Sequence, residues 1–220
     1  MEPLRSPLKI LIVDDHPLVR KGFSALISQA DDLVIVGESD DVDDALQQVG
    51  ELRPDLVIVD LSLKTGNGLD LIKQLSQKFP HVKKLVCSIH GESLYAERCL
   101  RAGASGYLNK QLAGETVLEA IRTVQDGKTY LSPRLAEILL GRMVGSNSAS
   151  QASSIESLTD RELEVFGLIG QALTTRQISE RLQLSYKTIE SYRENIKAKL
   201  SLKNAAELNQ HAVRWILENS

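Results

Sequence analysis

Three carboxylates stand at the ends of two short apolar runs. Asp14 and Asp15 follow Ile10-Leu11-Ile12-Val13, and Asp60 follows Leu56-Val57-Ile58-Val59. Runs of this kind read as strands buried on both faces, as in a parallel sheet covered by helices. Ligands of such sheets bind beyond the carboxyl ends of the strands, so two neighbouring strands would bring the three acids into one pocket. Clustered carboxylates repel unless a cation lies among them or a proton is shared. Each acid alone has a plainer role, capping the next helix or opening a turn. Together they point to a metal-binding phosphoryl site, and Ser88 and Lys110, ending or following two further apolar runs, add a hydroxyl and an ammonium to the same edge. A carboxylate accepts a phosphoryl group when a divalent ion neutralises the approaching charge and donors hold the equatorial oxygens. Mg²⁺ suits such a site because it takes a few carboxylates, keeps several waters and uses phosphate oxygens as ligands.

The elements that must hold these groups follow from the hydrophobic pattern. Strand patterns fall at 8–13, 33–37, 56–59, 84–88 and 106–108, and helical patterns at 17–30, 42–52, 69–79, 93–102 and 114–125. Five alternating units predict a parallel sheet with helices on both faces. Gly66-Asn67-Gly68 punctuates the turn before the third helix. Ser132-Pro133 opens a further helix over about 132–144, with Pro suited to a first turn. The Ser-rich stretch 145–157 buries too little apolar surface to order itself and predicts a flexible tether. The expected organisation is a domain at 8–126, a linker at 127–157 and a second domain at 158–220.

Composition limits what the chain can be. Its 220 residues suffice for two small domains, and 42% hydrophobic with 25% charged residues is the balance of a globular protein. No apolar stretch reaches bilayer length and the first residues lack a signal-peptide core, so a cytoplasmic protein with no membrane partner is expected. Cys87 and Cys99 lie in apolar stretches without CxxC spacing and read as core thiols of a reducing compartment. An aromatic content of 4% argues against stacking platforms for single strands. The net charge of −3 is uneven: residues 158–220 carry 9 Lys/Arg against 8 Asp/Glu, the remainder 17 against 21. That asymmetry hints at nucleic acid facing the C-terminal part.

The C-terminal part reads as all helical. Thr159-Asp160-Arg161-Glu162 and Thr174-Thr175-Arg176-Gln177 fit the capping box, and Ser185 and Asn204 fit N-caps. From Ser185 to Leu200, Ile189, Ile196 and Leu200 recur at helical spacing and form a buried stripe, which turns Lys187, Glu190, Ser191 and Glu194 outward along one face. Trp215, Ile216 and Leu217 near the C-terminus read as packing on the domain or as a contact between two copies; with Leu208 and Ala212 at helical spacing, Trp215 belongs to one stripe, which favours core packing.

The acidic pair Asp14-Asp15, the lone Asp60, Ser88, and Tyr107 three residues before Lys110 resemble the receiver domain of two-component response regulators over roughly residues 9–125. The resemblance implies an α/β fold, a five-stranded parallel, doubly wound, flavodoxin-like sheet. It implies Asp60 as phosphoacceptor, Asp15 as a direct Mg²⁺ ligand, Asp14 acting through a metal-bound water, and the backbone carbonyl of Ser62 as a further ligand. Ser88 would bind a phosphoryl oxygen, Lys110 would pair with the phosphate, and Ser88 and Tyr107 would form the switch. A sensor histidine kinase would be the phosphodonor. Two positions depart from the pattern. Lys64 replaces the usual Pro, which leaves the loop after the third strand open in shape. Ser62 and His90 occupy the positions that tune attack by water on the acyl phosphate.

Residues 155–218 resemble the NarL/LuxR-type helix-turn-helix, through Leu158-Thr159-Asp160-Arg161-Glu162-Leu163-Glu164-Val165, Gln177-Ile178-Ser179-Glu180-Arg181-Leu182 and Ser185-Tyr186-Lys187-Thr188-Ile189-Glu190-Ser191-Tyr192. The resemblance implies double-stranded DNA as partner, with the second helix in the major groove, and a homodimer in the active state. Lys187, Thr188, Asn195, Lys197 and Lys199 sit at positions suited to phosphates, and Thr175 and Arg176 at the start of the preceding helix could grip the backbone. Ser185 completes the expected contact set. For Glu190 the reading leans to pairing on the helix surface; for Glu194 that pairing and acceptance from cytosine N4 stay open. Ala172 stands where the family usually carries a helix-ending Gly, which predicts a strained or displaced turn. The expected function is a phosphorylation-controlled transcription regulator and not an enzyme. Rivals are a DNA-binding protein with a scaffold receiver and an aspartyl-phosphate phosphotransferase, of which the haloacid-dehalogenase type is disfavoured because Ser62 stands where it needs a second Asp.

Overall fold

The computed structural model describes residues 6–89, 92–143 and 155–219. The chain divides into two compact units, Met1–Val144 and Gly145–Ser220. In the first, β1 (Leu8–Val13), α1 (Pro17–Ile27), β2 (Leu33–Ser39), α2 (Val42–Leu52), β3 (Leu56–Val59), α3 (Gly68–Lys78), β4 (Lys83–Ser88), α4 (Glu92–Arg101), β5 (Gly106–Asn109) and α5 (Ala113–Gln125) alternate along the chain. All pairings are parallel and the strand order is β2-β1-β3-β4-β5. Chain order reverses at β1 and β3, so the carboxyl ends of these two strands flank the crevice where such sheets bind ligands.

Strand alternation divides the core. Ile10, Ile12, Ile58, Leu85, Cys87 and Leu108 face α1 and α5, where Phe23, Ile27, Val117 and Ile121 complete one buried cluster. Leu11, Val13, Val57, Val59 and Val86, equally buried, point to the opposite face. Every residue of β3 is buried, as its uninterrupted apolar run demands. β2 runs two residues past its expected end because pairing with β1 resumes after a register shift between Ile10 and Leu11, down to Val13 opposite Ser39. α1 ends earlier than its pattern suggests, where the amide of Ser28 closes the last turn onto Ser24 O and Leu26 O.

Parts of the expected linker are tied down. The amide of Tyr107 donates to Tyr130 O at 2.9 Å, and that of Tyr130 to Ser105 O, so the chain leaving α5 lies along the free edge of β5. Helix α6 (Pro133–Met143) buries Leu135 and packs on α4. Of the expected tether, residues 145–154 lie outside the described residues, as does residue 144 at the end of the preceding helix. Residues 155–157 are a correction: they form a helical turn, with Ile155 buried, because this one apolar side chain of the stretch finds a core to join.

The second unit contains α7 (Asp160–Gly170), α8 (Thr175–Leu182), α9 (Tyr186–Lys199) and α10 (Ala205–Asn219). Both capping boxes form, Ser185 caps α9 through the amide of Thr188, and Asn204 accepts from the amide of Glu207. Ile189 and Ile196 are fully buried, and Trp215 packs on Phe166 with ring centroids 5.6 Å apart and planes tilted by 51°, with Leu208 and Ala212 buried on the same helix. Among the described residues no helix is long and apolar enough to cross a membrane.

Candidate functional site

The acidic pocket forms where β1, β3 and β5 end. Asp14 and Asp60 are each about 2% exposed, and Lys110, directly after β5, places Nζ 2.7 Å from Asp14 Oδ2 and 2.7 Å from Asp60 Oδ2. One ammonium thus serves two buried carboxylates. Burial pushes the Asp60 carboxyl up to about 6, against the opposing pull of Lys110. Burial also works against the charge of Lys110, but the flanking carboxylates hold its proton more tightly than usual. Asp60 Oδ1 and Asp15 Oδ1 are buried without a hydrogen-bond partner. Neither Asp14 nor Asp15 caps α1: the N-cap residue is His16, whose side chain makes no cap bond.

Gly68 explains how Asp60 is held. The first residue of α3 packs so closely that a Cβ there would overlap the carbonyl oxygen of Asp60 and lie 2.7 Å from Leu61 Cα. The loop between is closed without the proline: Ser62 bridges Asn67, and the amide of Lys64 donates to Asp40 O. Ser88, fully buried, ends β4 opposite Asn109, and Tyr107 is fully buried too. His90 lies outside the described residues.

Two residues of the pocket were missed in the sequence. The amide of His16 donates to Asp14 Oδ1 at 2.9 Å, and its Nδ1 lies 2.6 Å from Asp15 Oδ1 without hydrogen-bond alignment. Arg20 donates to the Asp14 carbonyl at 2.6 Å and reaches Glu38 at 3.0 Å. The signal for His16 was its position directly after the acidic pair. Ligand atoms of Asp14, Asp15, His16 and Asp60 lie within 4.8 Å of one another. Oxygen donors, surplus negative charge and two orphaned carboxylate oxygens fit a divalent cation of the Mg²⁺ type.

A second cavity, of 670 Å³, opens at the amino ends of β1, β3 and β4, the far end of the sheet. Its basic rim, Arg53, Lys78 and Lys83, lies where α2, α3 and α5 present their carboxyl ends, and cations there offset the helix dipoles.

On the second unit, the expected DNA-facing residues differ in how they are engaged. Lys187 is exposed with no ion pair among the described residues. Ser185 is bound up in capping and Thr188 lies 2.7 Å from its hydroxyl. Ser191 donates back to Lys187 O. Thr175 donates to Glu190 Oε1 at 3.1 Å, tying the start of α8 to α9, with Arg193 3.9 Å from the same oxygen. Arg176 pairs with Glu180, and Lys197 with Glu194 at 2.8 Å. Lys199 turns instead to the buried Glu162, at 2.6 Å. Ala172 adopts φ 61°, so the turn keeps the left-handed geometry without the glycine.

A receiver-type sheet carrying an acidic pocket, joined to a helical unit with a helix-turn-helix, defines a response regulator. The family models agree: the response regulator receiver domain matches residues 10–122, and bacterial regulatory proteins of the luxR family match residues 156–212. The oxygen regulatory protein NreC of Staphylococcus epidermidis is 35% identical over 212 residues, 94% of this chain and 97% of that protein. A structure of the Salmonella typhimurium response regulator RcsB superposes with a TM-score of 0.73 at 24% identity, over 96% of this chain and 98% of that one. Another, RcsB from Salmonella enterica serovar Typhimurium bound to promoter P1flhDC in the presence of phosphomimetic BeF3−, gives 0.68 at 25% identity, over 94% and 98%. The chain belongs to the LuxR-family response regulators and is a DNA-binding transcriptional response regulator.

Proposed function

We propose that a sensor histidine kinase controls this regulator by phosphorylating Asp60, in the cytoplasm, and that the phosphorylated chain binds DNA as a dimer. The observation that carries the reading is the buried, partnerless oxygen of Asp60 beside a lysine already shared with Asp14. A carboxylate oxygen of Asp60 attacks the donor phosphorus, the bond from phosphorus to the donor nitrogen breaks, and the electron pair leaves with the imidazole. Lys110 and Ser88 hold phosphoryl oxygens as charge develops. Asp14, Asp15, Asp60 and the Ser62 carbonyl would hold Mg²⁺, which when bound neutralises the approaching phosphoryl charge. Phosphorylation adds about −1.5 to −2 charge, and Ser88 and Tyr107 transmit the change.

The boundaries taken for this reading are a receiver at 8–126 and a DNA-binding domain at 158–220. Lys187, Ser191 and Glu194 face the bases, while Thr175, Arg176, Thr188 and Lys197 grip phosphates. Ser185 and Glu190 fix the helix. The chain acts by binding rather than by turnover of phosphate esters. Treatment with acetyl phosphate and Mg²⁺ is expected to add one phosphoryl group to the wild type and none to Asp60→Asn, and to tighten binding to promoter fragments. A scaffold receiver would give no mass gain, or the same gain in Asp60→Asn.

A further inference from the structure

Three lysines of α9 point in different chemical directions. Lys187 is exposed and unpaired among the described residues, while the half-buried Lys197 is paired on its own helix with Glu194, whose side chain is 67% exposed. Such surface pairs are weak and yield readily to a phosphate. Lys199 is bound otherwise. Its Nζ lies 2.6 Å from Glu162 Oε2 and 3.2 Å from the carbonyl oxygen of Ser157. The same Glu162 oxygen accepts the amide of Thr159 at 2.7 Å, closing the capping box of α7. Glu162 is 4% exposed. Burial opposes its charge, yet the bonds from Lys199 and Thr159 more than offset this and hold its carboxyl below the usual range.

The Lys199 side chain is 35% exposed, but its partner is not: moving Lys199 onto a DNA phosphate would leave Glu162 buried, charged and without its cation, and stranding a buried charge is unfavourable. The pair also has a mechanical consequence. Near its start α9 is joined to α8 through Glu190 and Thr175, and at its end to the start of α7 through Lys199 and Glu162. Two such anchors, together with the buried Ile189 and Ile196, set the direction in which the outward face of α9 is presented.

We propose that Lys199 is a positioning residue for DNA recognition, acting through Glu162 to fix the carboxyl end of α9, and not a phosphate contact. The proposal rests on the DNA-binding reading of α9. The test compares full-length wild type, Lys199→Met, Glu162→Gln, the double variant and Lys199→Arg. The probe is a fluorescently labelled duplex selected from random-sequence DNA by the wild-type chain. Binding is measured from 50 to 300 mM KCl, with Trp215 emission reporting the folded fraction.

A phosphate contact contributes about −0.9 to the slope of log K against log salt concentration. A positioning residue contributes none. The expected result is that Lys199→Met and Glu162→Gln each weaken binding by about tenfold per folded molecule, with the wild-type salt slope. The double variant should be no worse than either single one, and Lys199→Arg should recover part of the loss. The idea is overturned if Lys199→Met alone weakens binding while the slope falls by about one unit and Glu162→Gln has no effect. Additive losses, or losses confined to the folded fraction at unchanged affinity, overturn it equally. Failure of the wild type to select any duplex would refute DNA binding itself, a result distinct from all of these.

Discussion

The acidic pocket and the recognition helix hold their charges in opposite ways. Around Asp60, two buried carboxylates share one lysine and two oxygens have no hydrogen-bond partner. On α9, Glu190 meets Thr175, Glu194 meets Lys197 and Lys199 meets Glu162. The first region holds surplus negative charge that a cation would offset and that a phosphoryl group on Asp60 would increase. The second stores its function as geometry, with polar groups matched in advance so that a helix face is presented in one orientation. A pocket that waits and a surface that is set suit an input and an output respectively.

The comparison is broken most severely by removing the shared cation. In metal-free buffer at pH 7.5, Lys110→Met should destabilise the receiver by about 3–5 kcal/mol, the cost of breaking a buried ion pair. Calorimetry should show its transition falling, with partial recovery on adding Mg²⁺. An equal loss at pH 5, where Asp60 can take a proton, would argue that packing of the lysine stem matters more than its charge.

Next in size is the acid itself. The folded pKa of Asp60 is raised from 3.8 to about 6, so protons bind the folded state more tightly than the unfolded one. Its contribution to stability is therefore full below about pH 4 and is lost as pH rises through 6. Asp60→Asn should remove this loss and stabilise the metal-free receiver by about 2–3 kcal/mol at pH 7.5. Urea titrations from pH 4 to 8 should find the variant nearly flat where the wild type declines. A decline of equal slope in both would locate the strain elsewhere in the pocket.

How far the two regions were legible in the sequence follows from the same contrast. Apolar runs ending in acids are a local signal, so Asp14, Asp15 and Asp60 could be placed at one sheet edge without coordinates. Lys110, following a further apolar run, could be placed at the same edge, but its sharing between Asp14 and Asp60 is seen only in the structure. The neighbours Arg20 and Glu38 were invisible because their contact spans two elements. On α9 the outward face was readable from the buried stripe of Ile189 and Ile196. The partner of Lys199 was not, since Glu162 lies 37 residues away and reads as an ordinary member of a capping box. Long-range ion pairs leave no periodic trace.

The backbone beneath Asp60 offers a finer test. Gly68→Ala would force a Cβ against the Asp60 carbonyl and the Leu61 Cα, so α3 or the end of β3 must shift. A loss of about 1–3 kcal/mol is expected for such overpacking. Because the carbonyl belongs to the phosphoacceptor, the rate of acetyl phosphate uptake should fall along with stability. Loss of stability at an unchanged rate would mean that α3 yields while Asp60 stays in place.

The smallest effect lies on the other side of the comparison, at a turn that carries no charge. Ala172 adopts φ 61° after α7, a conformation that costs an L-residue about 1–2 kcal/mol and glycine almost nothing. Glycine, however, loses more backbone freedom on folding, about 0.5–1 kcal/mol relative to alanine. The difference predicts that Ala172→Gly stabilises the C-terminal unit by about 0.5–1 kcal/mol, read from Trp215 emission in urea. Because Trp215 packs on Phe166 of α7, its emission follows the helix that this turn ends. DNA affinity per folded molecule should stay unchanged, since the anchors of α9 at Glu190 and Lys199 are untouched. An affinity change without a stability change would mean that the Ala172 turn, and not only those two anchors, helps to aim the recognition helix.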